Sequence, residues 1–127
     1  MVPPESSRKT IVIYSTDADL SKSLKFYFEN HYQVLLASKA DQVEDFLTNH
    51  PVHLVLIDGA VQQHPILSLV QSIFKTNPGL PILLLWSGSV VTPEIEKSIH
   101  PLVDTIIYKP FPLETVVTRV DSLLRPS

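Results

Sequence analysis

The chain contains no cysteine. Disulfides, thiolate nucleophiles and cysteine-ligated zinc are therefore excluded, and the composition suits a reducing compartment. With only three glycines it has no glycine-rich loop of the kind that cradles nucleotide phosphates. It has no excess of positive charge: the net charge is -3, and lysine and arginine are scattered rather than gathered on one helix face, so nucleic acid is not an expected partner. It also lacks a long apolar run. The longest, Ile82 to Trp86, is far too short to cross a bilayer. Met1 to Lys9 is polar, carries two prolines and has no apolar core of a signal peptide, so the expected location is the cytoplasm. Five histidines are present, but only His50 and His53 lie close in sequence. Pro51 stands between them, so they share no helix face and are not expected to bind a metal.

What is present is enough for one folded domain. A chain of 127 residues with 44% hydrophobic and 18% charged content can bury a core and should not be disordered. Its apolar segments alternate between two periods. Thr10–Tyr14, Gln33–Ala37, Val52–Ile57, Pro81–Leu85 and Asp104–Tyr108 are short runs without polar alternation, the mark of buried strands. Between them lie helical spacings. Leu20, Leu24, Tyr27 and Phe28 form the first, with a cap near Asp17 and an end at His31-Tyr32. Val43, Phe46 and Leu47 form the second, opened by Ser38 or Asp41. Ile66, Leu69, Val70 and Ile73 follow Pro65 in the third, which Asn77-Pro78-Gly79 stops. A shorter helix starts at Pro93, with Ile95 and Ile99 facing in, and the last runs through Leu113, Val116, Val117, Val120 and Leu124.

Strands alternating with helices predict a parallel sheet covered on both faces, an α/β three-layer sandwich. Residues 1–9 are expected to be a tail, 10–124 the domain, and 125–127 a C-terminal tail or linker stub. In such sheets, function gathers where the carboxyl ends of the strands meet. Two strands stop there at a charge, Leu54-Val55-Leu56-Ile57-Asp58 at an acid and Ile106-Ile107-Tyr108-Lys109 at a base. Serine and threonine at positions 15 and 16 have no histidine or other base placed with them, so hydrolase chemistry has little support.

Over residues 10 to about 124 the chain resembles the receiver domain of two-component response regulators. The order of five βα units carries the resemblance, with Leu54-Val55-Leu56-Ile57-Asp58, Pro81-Ile82-Leu83-Leu84-Leu85 and Tyr108-Lys109-Pro110-Phe111. It implies the flavodoxin-like strand order 2-1-3-4-5. It also implies Asp58 as acceptor of a phosphoryl group from a histidine kinase or phosphotransfer protein, with Lys109 neutralising that group. Ser87 would supply a hydroxyl contact with the end of the fourth strand shifted by one residue. A magnesium ion would rest on Asp58 and the backbone carbonyl of Ala60, with Asp17 as a further candidate. The Lys109-Pro110 bond is often cis in this family. An output domain and pairing of two copies are also known for the family. Such a domain changes its affinity for a partner and turns over no substrate.

The chain departs from that pattern at several places. The acid pair expected after the first strand falls on Ser15 and Thr16, whose neutral hydroxyls are weak ligands for magnesium. Trp86 falls where a small hydroxyl residue is expected, and Ile106 where an aromatic switch is. The expectation is weak or absent magnesium binding. An alternative function is a pseudo-receiver that is never phosphorylated and serves as a protein-interaction module. A small-molecule binder using the same crevice is a third reading.

Overall fold

A computed structural model describes residues 8–58, 63–87 and 93–124. Five strands, β1 (Lys9–Tyr14), β2 (Tyr32–Ala37), β3 (Leu54–Asp58), β4 (Ile82–Ser87) and β5 (Thr105–Lys109), make one parallel sheet in the order β2-β1-β3-β4-β5. They alternate with α1 (Ala18–Phe28), α2 (Ala40–Asn49), α3 (Gln63–Thr76), α4 (Pro93–Ile99) and α5 (Leu113–Leu124), and a 3-10 turn at His100–Leu102 follows α4. The expected architecture and strand order are both found.

Side chains alternate across a strand, so each strand feeds two cores. Ile11, Ile13, Leu54, Leu56, Leu83, Leu85 and Ile107 face α1 and α5, where Leu24, Phe28, Val116, Val120 and Leu124 meet them. Val12, Val55, Ile57, Ile82, Leu84 and Trp86 face the other way, onto Val43, Leu69, Val70, Ile73 and Ile99. Each fully buried aliphatic side chain contributes about 1.5–3 kcal/mol relative to exposure, so the two layers supply most of the drive to fold. The central strand β3 is buried at every position, which explains its unbroken apolar run.

Local chemistry sets the helix ends. Asp17 Oδ1 accepts the backbone N–H groups of Asp19 and Leu20 and caps α1. Lys39 is the N-cap of α2 and Gln42 Oε1 accepts from the backbone N–H groups of Ser38 and Lys39, so the helix opens at Ala40 and not at Ser38 or Asp41. Gly79, at φ +100°, carries the turn after α3.

Two expectations about α1 are corrected. Tyr27 was expected on the inner face but is exposed, because the buried stripe runs through Ser21, Leu24 and Phe28 and leaves Tyr27 on its flank. His31 and Tyr32 do not close the helix. It ends at Phe28, and Tyr32 opens β2. The strands also begin or end one or two residues away from their expected limits; β1 starts at Lys9, within the expected tail. The inner-face role expected for Ile95 falls outside the described side chains.

Candidate functional site

Pairing of the strands decides which residues meet at the carboxyl edge. Tyr14 lies opposite Ile57, so the next residues, Ser15 and Asp58, are neighbours at the ends of β1 and β3. Asp58 lies opposite Leu85, and Ser87 lies opposite Lys109 at the ends of β4 and β5. Asp58 has the same parity as Leu54 and Leu56, and Ser15 the same as Ile11 and Ile13. Both therefore belong to the layer under α1 and α5.

The contacts are direct. Lys109 Nζ donates to Asp58 Oδ1 at 2.6 Å, and the Ser15 hydroxyl donates to Asp58 Oδ2 at 2.8 Å. Each oxygen of the carboxylate thus has its own donor. The Asp58 side chain is 1% exposed, against 27% for Lys109, so the acid is shut in while the base keeps access to water. A buried carboxylate without partners would be costly, and the ammonium and hydroxyl supply the compensation burial demands. Ser15 Oγ also accepts the backbone N–H of Asp17 at 2.9 Å, tying the β1–α1 turn to the same point. The Lys109-Pro110 peptide is cis, as expected.

The structure does not gather every residue expected at the site. The Asp17 carboxylate is exposed and engaged at the start of α1, while its backbone N–H meets Ser15. Thr16 is exposed. Ala60 lies outside the described residues. Ser87 ends β4 in register with Lys109, but its side chain lies outside what is described. Trp86 does not crowd the site, because it faces the opposite layer beside Ile99, with Ile106 also packed against that layer. The role of Ser15 as donor to Asp58 was not foreseen. The only signal for it was its strand parity, which matches that of the acid across the β1–β3 pair.

Magnesium is a hard cation that takes carboxylate and water oxygens in octahedral geometry. Asp58 is the one carboxylate that the described contacts join to Ser15 and Lys109, and both its oxygens are engaged, while the Asp17 carboxylate caps α1. No group of three or more His, Cys, Asp or Glu side chains that could hold a metal ion occurs among the described residues. The described donor set does not fit the ion.

No family model and no curated protein matches the chain. Solved structures do. A response regulator receiver protein from Pseudomonas putida superposes with a TM-score of 0.78 at 18% identity, covering 91% of this chain and 98% of that one. The chain has the response-regulator receiver fold. An orphan response regulator of H. pylori shares that fold with a TM-score of 0.80 at 18% identity, covering 96% of this chain and all of that one, 100%. A CheY-like receiver domain protein from Methanospirillum hungatei does so with a TM-score of 0.77 at 23% identity, over 92% and 97% of the two chains. In the receiver fold the paired Asp58 and Lys109 occupy the edge where the strands of the sheet end. No described helix is long and apolar enough to cross a membrane.

Proposed function

We propose that this chain is a response-regulator-type signalling domain of the cytoplasm, with Asp58 as phospho-acceptor and Lys109 as the charge that neutralises the phosphoryl oxygens. The observation that carries the reading is the 2.6 Å Asp58–Lys109 pair at the carboxyl edge of a receiver-fold sheet. Phosphoryl transfer asks chiefly for positioning and for neutralisation of oxygen charge. A carboxylate oxygen of Asp58 attacks the phosphorus of a phosphohistidine on a kinase or phosphotransfer protein. The P–N bond breaks, its electron pair stays on the imidazole nitrogen, and an acyl phosphate remains on Asp58. The domain's output is then a changed affinity for a partner or output domain, not turnover of a substrate.

The test is incubation of the chain with acetyl phosphate, followed by phosphate-affinity electrophoresis and intact-mass measurement beside Asp58→Asn. A retarded, hydroxylamine-sensitive species is expected in the wild type and not in the variant. A species of the same yield in Asp58→Asn would overturn the assignment.

A second reading is favoured by one observation. Both oxygens of Asp58 are engaged, and its side chain is almost fully buried. An acid so held can serve as a fixed brace in a pseudo-receiver that binds its partner without phosphorylation. Absence of labelling from both acetyl phosphate and a phosphorylated histidine donor, with the fold intact, would favour this reading.

A further inference from the structure

Ser15 stands where the resemblance called for one of two acids. Its replacement of a carboxylate looks like simple loss of a cation ligand, but the contacts say more. The hydroxyl has one proton, and the short contact for it is Asp58 Oδ2 at 2.8 Å; the alternative acceptor, the backbone carbonyl of Asp17, lies at 3.4 Å. One lone pair of the same oxygen accepts the Asp17 backbone N–H. Ser15 is itself buried, at 4% exposure, so water does not compete freely for these bonds. The hydroxyl therefore holds Asp58 from the side opposite Lys109 and links it to the capped start of α1.

Charge supports the same conclusion. An acid pair beside Asp58 would put like charges together, and a divalent cation would be needed to hold them. Here Asp58 meets one ammonium and one neutral hydroxyl, so the described cluster is balanced without an added ion.

We propose that Ser15 is a positioning residue that holds Asp58 in place of a divalent cation, so that the acid is set and charge-balanced by this chain alone and the site operates independently of magnesium. The inference rests on Asp58 being the working group of the site.

The experiment compares the full chain with Ser15→Ala, Ser15→Thr and Ser15→Asp, each in EDTA and in magnesium chloride at matched ionic strength. Thermal melting by circular dichroism is the first readout. Wild type is expected to melt at the same temperature in both buffers. Ser15→Ala should melt lower by about 5–15 °C in both, the shift expected for one buried hydrogen bond to a charged group in a domain of this size. Ser15→Thr, which keeps the hydroxyl, should recover most of that loss. Ser15→Asp should be destabilised in EDTA by like-charge repulsion and regain stability in magnesium.

The second readout is the rate of Asp58 labelling by acetyl phosphate. The ratio of rates in magnesium and EDTA should be near one for wild type and should rise at least tenfold for Ser15→Asp. A wild type stabilised by magnesium as strongly as Ser15→Asp would overturn the proposal. So would a Ser15→Ala variant that melts with the wild type. If no variant is labelled at all, the phospho-acceptor reading fails, while the melting comparison still decides the role of Ser15.

Discussion

The Tyr32 hydroxyl donates a hydrogen bond to Asp121 Oδ1 at 2.5 Å, joining the first residue of β2 to the last turns of α5. The Lys9 ammonium donates to the carbonyl of Leu124 nearby in the fold, so the amino-terminal edge of the sheet and the end of α5 are held by two polar contacts. The Tyr32 ring also packs edge-on to Phe28 at a centroid separation of 5.8 Å.

Tyr32→Phe separates these two roles, since it keeps the ring and removes the hydroxyl. It should destabilise the domain by about 1–2 kcal/mol, as a hydrogen bond to a charged acceptor of partial burial does. Urea unfolding should show a lower midpoint with an unchanged m-value. An unmoved midpoint would mean that the contact with Asp121 contributes nothing.

The Asp58–Lys109 pair should behave non-additively. Lys109→Met leaves a buried carboxylate with the Ser15 hydroxyl as its one described side-chain donor, and should cost roughly 2–4 kcal/mol. Asp58→Asn removes the charge that makes that state costly. Adding it to Lys109→Met should therefore restore part of the lost stability. Denaturant unfolding of both single variants and the double variant measures this coupling, and simple addition of the two losses would refute it.

Trp86 is 1% exposed, and its indole N–H has no hydrogen-bond partner among the described residues. Two properties are thus opposed: a large volume that fills the layer under α2, α3 and α4, and a buried polar group that no described residue satisfies. Trp86→Phe gives up volume but also removes an N–H that no described residue satisfies, so it should cost under about 1.5 kcal/mol. Trp86→Ala empties the site and should cost about 3–5 kcal/mol. Equal losses in calorimetric melts of the two variants would contradict this account.

Gly79 takes φ +100° after α3, and a Cβ placed there would meet nothing within 4 Å. The penalty for a side chain is then one of backbone conformation rather than clash. Gly79→Ala should destabilise by roughly 1–2 kcal/mol, and Gly79→Asn by less, since asparagine tolerates left-handed backbone better. Chemical unfolding of both variants tests the ranking.

The fold was legible because its signals are local and repeated. β3 is buried on both faces, and its residues Leu54 to Ile57 show that as an unbroken apolar run. The inner face of α3 was read correctly at Ile66, Leu69, Val70 and Ile73, all buried. Tyr27 misled because it stands three residues after Leu24, a spacing that also fits the inner face. Only the true centre of the buried stripe, marked by a polar residue, Ser21, excludes it. Within the site, Asp58 and Lys109 were visible as charges ending apolar strands. The bond from Ser15 was not, because a serine at an acid's position reads as something missing, and its use depends on which strand lies beside it. The Tyr32–Asp121 contact had no local signal either, since its partners belong to different elements far apart in the chain.

Trp86 lies in one layer of the sandwich, and Asp58 in the other. The single tryptophan is therefore an optical reporter for the face of the sheet that does not hold the acid. A fluorescence change that accompanies labelling of Asp58 would record a disturbance carried through β4, not occupancy of the site itself. A silent tryptophan beside a labelled Asp58 would make the sheet an insulator between the two halves of the molecule.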